Sequence, residues 1–417
     1  MALIKKSTTV DQIFFEPLNG LADASPHARP CPEFSDEAYI HLGIQRVLEM
    51  SESGRGFLQE HGLRFENTPG LSNYFAALKN PRRCEVIGDV SRALLIAANA
   101  RLQKRLADIP ELASYECFAA DGHWHKSAAH DPRHEGSKVA VGHFYSLNLD
   151  THTLRHLAVG EGLHEHDMSV LKRIKPKGLR QGVPKGKRVI IIYDKAGIDF
   201  DYWKRCRQEC AVYFISRAKE NMAFDWIQSV AWDQFDARNH GVTEDRRVKT
   251  TEGHLLRIVY YTDPQTGENY EFLTNELDLP AGVIVELYRR RWEAEKVFDE
   301  IKNKLSEKKA WATSLVAKEA QAQLVAITHN LLLIYEQTLE IEYGVTNQAE
   351  DLRRTQRIQT AAKKCAKAGT PLSALVLRAR GATQRSVKFV RWARQSIRDR
   401  VAEAVAVLRL RALYATL

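Results

Sequence analysis

No apolar run in this 417-residue chain approaches the roughly 18 residues that a membrane-spanning helix needs. VIII at 189–192 and LLLI at 331–334 are far too short. The opening residues, MALIKKSTTVDQ, lack the apolar segment of a secretory signal. No internal repeat or low-complexity segment is present. Cysteine is sparse: six residues, at 31, 84, 117, 206, 210 and 365, with no C-x-x-C pair. That excludes the common zinc and redox patterns and favours buried free thiols in a reducing compartment. These absences predict a cytosolic chain with no membrane partner.

Acid is scarce in one region only. Residues 351–417 hold 16 Lys or Arg against 3 Asp or Glu, a net +13; the whole chain is +9, so the remainder is −4. Such an imbalance suits a polyanionic partner, although many charge runs are only solvated helix faces. Overall composition, 44% hydrophobic and 27% charged, is that of a globular protein. The length predicts two or three domains.

Periodicity divides the chain. Residues 1–108 read as a helical N-terminal, DNA-binding region, with helix starts at Thr68-Pro69 and after the break at NPRR. Residues 109–345 read as a mixed α/β domain. SYECFAADG is a first strand, KVAVGHFYSLNL and TLRHLAVGEGL form a hairpin, and KRVIIIYDKAG is a fully apolar, central strand. DFDYWKRCRQEC is a helix and AVYFISRAK another strand; residues from about 220 to 280 read as a β-rich insertion around a DPQTG turn. Residues 346–417 form a basic helical region for DNA binding or dimerisation. The fold class is α/β, a mixed sheet with helices against it.

Two acids follow strands of this sheet, Asp121 after ECFAA and Asp194 after VIIIY, each near a glycine, Gly122 and Gly197. Sheet ends are where catalytic groups project. A lone strand-end Asp is more often a turn former. A third acid comes from YRRRWEAEKVFDEIKNKL, 288–305. Read as one helix at about 100° per residue, Tyr288, Arg291, Glu295 and Lys302 fall within about 60° of one another. Trp292 packs in the core or touches DNA, with packing the favoured reading. The bland alternative is an ion-paired surface helix. Two Asp and one Glu can hold two Mg²⁺ ions, with Mn²⁺ a substitute, and such a pair activates a nucleophile on one side of phosphorus and stabilises the leaving oxygen on the other. Neighbouring Arg and Lys would hold phosphates.

The spacing Y-x2-R-x3-E-x6-K at Tyr288, Arg291, Glu295 and Lys302 resembles the YREK motif of cut-and-paste bacterial insertion-sequence transposases, the "IS four" family that includes the Tn-five transposase. FLTN before it, KVFDEIK after it, DKAG at 194–197, FISRAK at 214–219 and His166-Asp167 also resemble the family, over roughly residues 70–345. The resemblance implies an RNase H-like core with a β-strand insertion. It makes Asp121, Asp194 and Glu295 the catalytic, metal-holding triad, and Tyr288, Arg291, Lys302 and Arg217 DNA contacts. It implies double-stranded transposon ends and target DNA as partners, a homodimer holding two ends, and a bacterial cytoplasm. Asp150, at the hairpin tip, is the rival first acid. The His-rich loop (His123, His125, His130, His134) and HEHD at 164–167 fit no standard zinc spacing. A DNA-binding protein without catalysis and a nuclease that cuts without joining are the rival functions.

Overall fold

The computed structural model describes residues 8–49, 53–125, 141–160, 165, 167–264, 266–305, 310–346, 348–369 and 387–415. Its helices are α1 (Val10–Phe15), α2 (Asp36–Leu48), α3 (Gly54–Gly62), α4 (Leu71–Leu78), α5 (Pro81–Arg101), α6 (Asp167–Arg173), α7 (Phe200–Cys210), α8 (Ala281–Arg290), α9 (Trp292–Lys304), α10 (Leu315–Tyr343), α11 (Gln348–Ala368), α12 (Val387–Arg398) and α13 (Glu403–Ala415). Its strands are β1 (Tyr115–His125), β2 (Val141–Asn148), β3 (Leu154–Val159), β4 (Arg188–Ile192), β5 (Val212–Arg217), β6 (Asp225–Ser229), β7 (Val242–Lys249), β8 (Leu255–Thr262) and β9 (Asn269–Thr274).

All nine strands belong to one mixed sheet, ordered β3-β2-β1-β4-β5-β9-β8-β7-β6. β1–β4 and β4–β5 are parallel; every other pairing is antiparallel. Val189–Ile192 of β4 are fully buried, as a central strand with both faces covered requires. β1–β5 have the order and pairing expected of an RNase H-like core, and the insertion between β5 and α8 extends the same sheet. β9 returns antiparallel to β5, through Ile215–Thr274, Ser216–Leu273 and Arg217–Phe272. That return delivers the chain to α8 and α9.

One face of the sheet packs on α6 and α7 around Trp203, whose indole stacks on Phe214 at 5.3 Å. The other face shares one continuous core with α8–α10 and the N-terminal helices. α10 is the spine of that core, with Leu324, Val325, Ile327, Leu331 and Leu332 buried.

The C-terminal helices join the same core. Val10 N–H donates to the Val401 carbonyl (2.9 Å), and Glu403 N–H to the Thr8 carbonyl (3.0 Å). Trp392 stacks on Tyr335 of α10 at 5.9 Å, and its indole N–H donates to the Ala406 carbonyl (2.9 Å). Residues 8–10 and 401–403 are thus tied to each other, and α12 to α10. α11 differs: apart from buried Cys365, its described side chains are exposed or half-buried.

Local signals were misplaced in two spots. Pro69 precedes the cap of α4, which is Gly70; Asn80 and Pro81 cap and open α5, the Asn80 side chain accepting from Arg83 N–H at 3.3 Å. The second is the stretch 288–305, which is two helices divided at Arg291.

Two histidines in the N-terminal region are held neutral. Burial, the larger cause, takes His41 and His61 down to about 4; a weaker pull from Asp11 opposes it at His41, while Arg64 and Arg400 add to it at His61. The unfolded chain protonates both near 6.5 and therefore binds more protons than the native state below that pH. Their contribution to stability is complete above about pH 6.5 and falls away between there and about pH 4. Urea midpoints are expected to drop on going from pH 7 to pH 5, and His61→Gln should flatten that drop. A midpoint independent of pH across this window would refute the assignment.

Candidate active site

The parallel ladder between β1 and β4 ends at the pair Ala119–Ile192. Two residues past that pair stand Asp121 and Asp194. Side chains alternate along a strand, so each lies on the side of the residue two before it. Ala119 and Ile192 both face the core that carries α8–α10. The two aspartates therefore occupy matching positions at one end of the sheet.

Their backbones differ. β1 continues through Asp121, which pairs with Tyr145 of β2. Gly122 is a paired strand residue, opposite Phe144, and not the tight turn its sequence suggested. Asp194 caps a short turn: its carboxylate accepts from Ala196 N–H (2.8 Å), and its carbonyl accepts from the Ser216 hydroxyl (2.8 Å). Gly197 closes this turn against Tyr193. A Cβ at Gly197 would lie 1.8 Å from that ring.

α8 and α9 bring the third acid. α8 approaches the insertion so closely that a Cβ on Gly282 would lie 2.1 Å from the Arg238 carbonyl oxygen. At the junction, Arg291 N–H donates to the Tyr288 carbonyl and Ala294 N–H to the Arg291 carbonyl, both at 3.0 Å. These three-residue steps tighten the turn without reversing the chain. Tyr288, Arg291 and Glu295 stay together across the break.

Arg291 sits between two of the acids. Its guanidinium is 2.8 Å from Glu295 and 3.9 Å from Asp121. Burial would lower its pKa, but Tyr288, Glu295 and Asp121 raise it further, so it stays charged. The guanidinium also lies 5.7 Å from the centre of the Tyr288 ring. Tyr288 is 9% exposed and packs on Phe272 at 4.9 Å. Burial raises its pKa, with Asp194 adding to the rise and Arg291 and Arg217 opposing it. It is a neutral hydroxyl. Arg217, at the end of β5, covers Tyr270 at 4.9 Å, and Tyr270 stacks on Phe272.

Asp121, Asp194, Glu295, Tyr288, Arg291 and Arg217 thus surround one end of the sheet. Lys302 lies on α9, but its side chain is outside the described residues, as are His130, His134, His164, His166 and the side chains of His123 and His125. Asp150 is elsewhere: its carboxylate accepts from Leu106 N–H (2.9 Å) and pairs with Lys104 (3.4 Å). Trp292, expected to pack, is 62% exposed. The tightened turn at Arg291 aims it outward.

The donor set is three carboxylates, chemistry suited to a hard divalent cation. Their spacing here is not that of a filled site. Among the described residues no group of three His, Cys, Asp or Glu is close enough to hold a metal ion. A guanidinium supplies the positive charge between Asp121 and Glu295.

Sequence reasoning missed a second set of acids on α9. Setting Glu293 at 0°, Val297 lies at about 40°, Ile301 at about 80° and Glu300 at about 340°. Two glutamates therefore share the apolar arc, and both are buried, at 5% and 2% exposure. Glu293 meets His152 at 2.7 Å; Glu300 meets His329 at 3.5 Å. The signal was available: acids seven residues apart, on the arc that carries Val297 and Ile301.

Among curated proteins none matches the chain. A family model described as a transposase DDE domain matches residues 122–331, half of the 417. The match takes in Asp194, Arg217 and the whole Tyr288–Lys302 stretch, and starts one residue after Asp121. With the sheet order, the strand-end aspartates and the helix-borne glutamate described above, the chain belongs to the DDE-domain transposases.

Proposed function

We propose that the chain is a cut-and-paste DNA transposase of the YREK-bearing "IS four" kind. It binds the inverted-repeat ends of its element, cuts there with divalent metal, and joins the freed 3′-hydroxyls to target DNA as a homodimer. Asp121, Asp194 and Glu295 are the metal-holding triad in this reading. The observation that supports it is Arg291 lying 3.9 Å from Asp121 and 2.8 Å from Glu295, with Asp194 at the position matching Asp121 on the neighbouring strand.

The chain's own groups have separable tasks. Arg217 and Arg291 offer planar forks that match phosphate oxygens. Tyr288, kept neutral, can donate its hydroxyl proton to a phosphate oxygen. Lys302 adds a point charge. Arg291 neutralises Asp121 and Glu295, and its fork would be available to a phosphate oxygen if the triad held a divalent cation. When bound, Mg²⁺ or Mn²⁺ supplies charge neutralisation and an activated nucleophile. The phosphate-rich substrate is thus gripped by side chains fixed in the helix pair and in β5, beside the carboxylates.

The domain roles follow. Residues 109–345 do the chemistry, residues 1–108 contact the ends, and the basic C-terminal region contributes DNA affinity or dimer contacts. α12 and α13 are built into the core, so deleting residues 351–417 would unfold more than it tests. Point changes on exposed α11 are cleaner. Replacing Arg357, Lys363, Lys364 and Lys367 with Gln should weaken end binding and lower the salt slope by up to about 0.9 for each phosphate no longer neutralised. A filter-binding series from low to high salt measures it; an unchanged slope would remove α11 from the DNA interface.

The reading is tested with duplex DNA carrying the element's terminal inverted repeats, with and without Mg²⁺. Strand cutting at the repeat end, followed by joining of precut ends to a plasmid, is expected. Binding with no cutting at any Mg²⁺ or Mn²⁺ concentration points to a DNA-binding protein instead. Cutting without joining points to a nuclease.

A further inference from the structure

α9 carries Glu295 on one flank and two buried glutamates on the face turned to the core. Each buried acid meets a buried histidine from a different element. His152, in the turn between β2 and β3, places Nε2 2.7 Å from Glu293, with both side chains nearly closed off from solvent. His329, on α10, lies 3.5 Å from Glu300, and its Nε2 donates to the His152 carbonyl at 3.0 Å. Glu300, His329, His152 and Glu293 form one connected line behind the helix.

The turn that supplies His152 is itself fixed on several sides. His152 has φ of +61°, a left-handed conformation that a residue with a Cβ adopts at a cost. It is held there by a hydrogen bond from its N–H to the Asn148 carbonyl (2.8 Å). The Asn330 side chain accepts from Leu154 N–H (2.8 Å) and donates to the Leu154 carbonyl (2.9 Å), and Asn99 accepts from the hydroxyls of Thr151 and Thr153. The turn is bolted to α5 and α10 before it reaches α9.

Apolar packing through Ala294, Val297, Phe298 and Ile301 is non-directional and by itself sets the rotation of α9 only loosely. A buried carboxylate allows no such tolerance. Moved away from its partner, it loses that polar contact and stays desolvated. Two such contacts, seven residues apart along the helix, fix both its rotation and its depth. Glu295 lies on the same rigid turn as Glu293.

We propose that His152–Glu293 and His329–Glu300 are positioning contacts that hold α9 so that Glu295 faces Asp121 and Asp194. This rests on the reading of Glu295 as a metal-holding carboxylate. His152 and Glu293 touch neither DNA nor the reacting phosphate; they act through the helix. Their removal lets Glu295 wander, which weakens the hold on metal and slows cutting while leaving the DNA-gripping surface in place.

The test compares Glu293→Gln, Glu293→Ala and His152→Ala with the full-length protein. Three quantities are read: thermal midpoint, end-DNA binding in EDTA, and cutting rate across a Mg²⁺ series. Glu293→Gln keeps an acceptor for His152 and should cut within about threefold of the parent. Glu293→Ala and His152→Ala should bind ends within about twofold in EDTA. They should need at least tenfold more Mg²⁺ for half-maximal cutting. A purely structural role would instead lower binding and cutting together, in step with the fraction folded, with no change in Mg²⁺ dependence; that result overturns the proposal. So does parental behaviour of both alanine variants. If an alanine variant fails to fold, His152→Gln and Glu293→Gln carry the comparison, and parental Mg²⁺ dependence in His152→Gln alongside a displaced one in Glu293→Gln would equally contradict the proposal. Glu295→Gln in the same assay tests the underlying reading separately: parental cutting there defeats the triad assignment, whatever the positioning variants do.

Discussion

Glu295→Gln is expected to abolish metal-dependent cutting of inverted-repeat DNA, by about three orders of magnitude or more, because groups that act as a unit lose nearly everything when one goes. End binding should stay within about twofold. The expectation comes from what the side chain touches. Its carboxylate is 39% exposed and pairs with Arg291 at 2.8 Å. A half-exposed i,i+4 pair is worth well under about 1 kcal/mol, and the Gln amide oxygen can still accept from the guanidinium. Stability should barely move. What is lost is one of the three negative charges of the proposed triad. A gel assay of nicked product, beside a mobility-shift assay in EDTA, separates the two effects. Cutting at the parental rate would end the triad assignment.

The second large effect distinguishes the rival first acids. Asp121→Asn should reduce cutting as severely as Glu295→Gln, whereas Asp150→Asn should cut at the parental rate. Asp121 stands two residues past the last β1–β4 pair, as Asp194 does, and shares Arg291 with Glu295. Asp150 is committed to Leu106 N–H and Lys104. Its replacement costs a partly exposed ion pair, an effect of at most about 1 kcal/mol on the unfolding free energy. Single-turnover cutting by the two variants decides the matter. Severe loss in Asp150→Asn with parental cutting in Asp121→Asn would reverse the assignment.

The physical signals that carried the sequence reading were strong ones. VIII at 189–192 has no polar residue to turn to water, so β4 had to be central, and an acid immediately after it had to stand near a sheet end. The hairpin around Asp150-Thr151-His152 and the β-rich insertion followed from alternation and turn chemistry. Tyr288, Arg291 and Glu295 lie together although their helix breaks, because Arg291 keeps right-handed helical dihedrals, φ −53° and ψ −33°.

Other readings failed where local pattern competes with long-range packing. Trp292 looked like core because large aromatics usually are, but the turn at Arg291 points it outward. Gly122 looked like a turn because β1's continuation depends on β2, whose Phe144 pairs with it from 22 residues on. The C-terminal charge suggested a separate basic region, yet Phe389, Trp392 and Ile397 alternate with the arginines and seal α12 onto α10.

By itself the sequence determined the element types, the central strand, the insertion and the identity of the acids on offer, since these depend on periodicity and charge within short windows. Only the tertiary structure decided which acids meet, that Arg291 lies between Asp121 and Glu295, and that Glu293 and Glu300 are buried against histidines from the β2–β3 turn and α10. Apart from the i,i+4 pair of Arg291 and Glu295, those partners are separated by between 29 residues, Glu300 to His329, and 170, Asp121 to Arg291. No local rule relates positions that far apart; strand register and helix packing do.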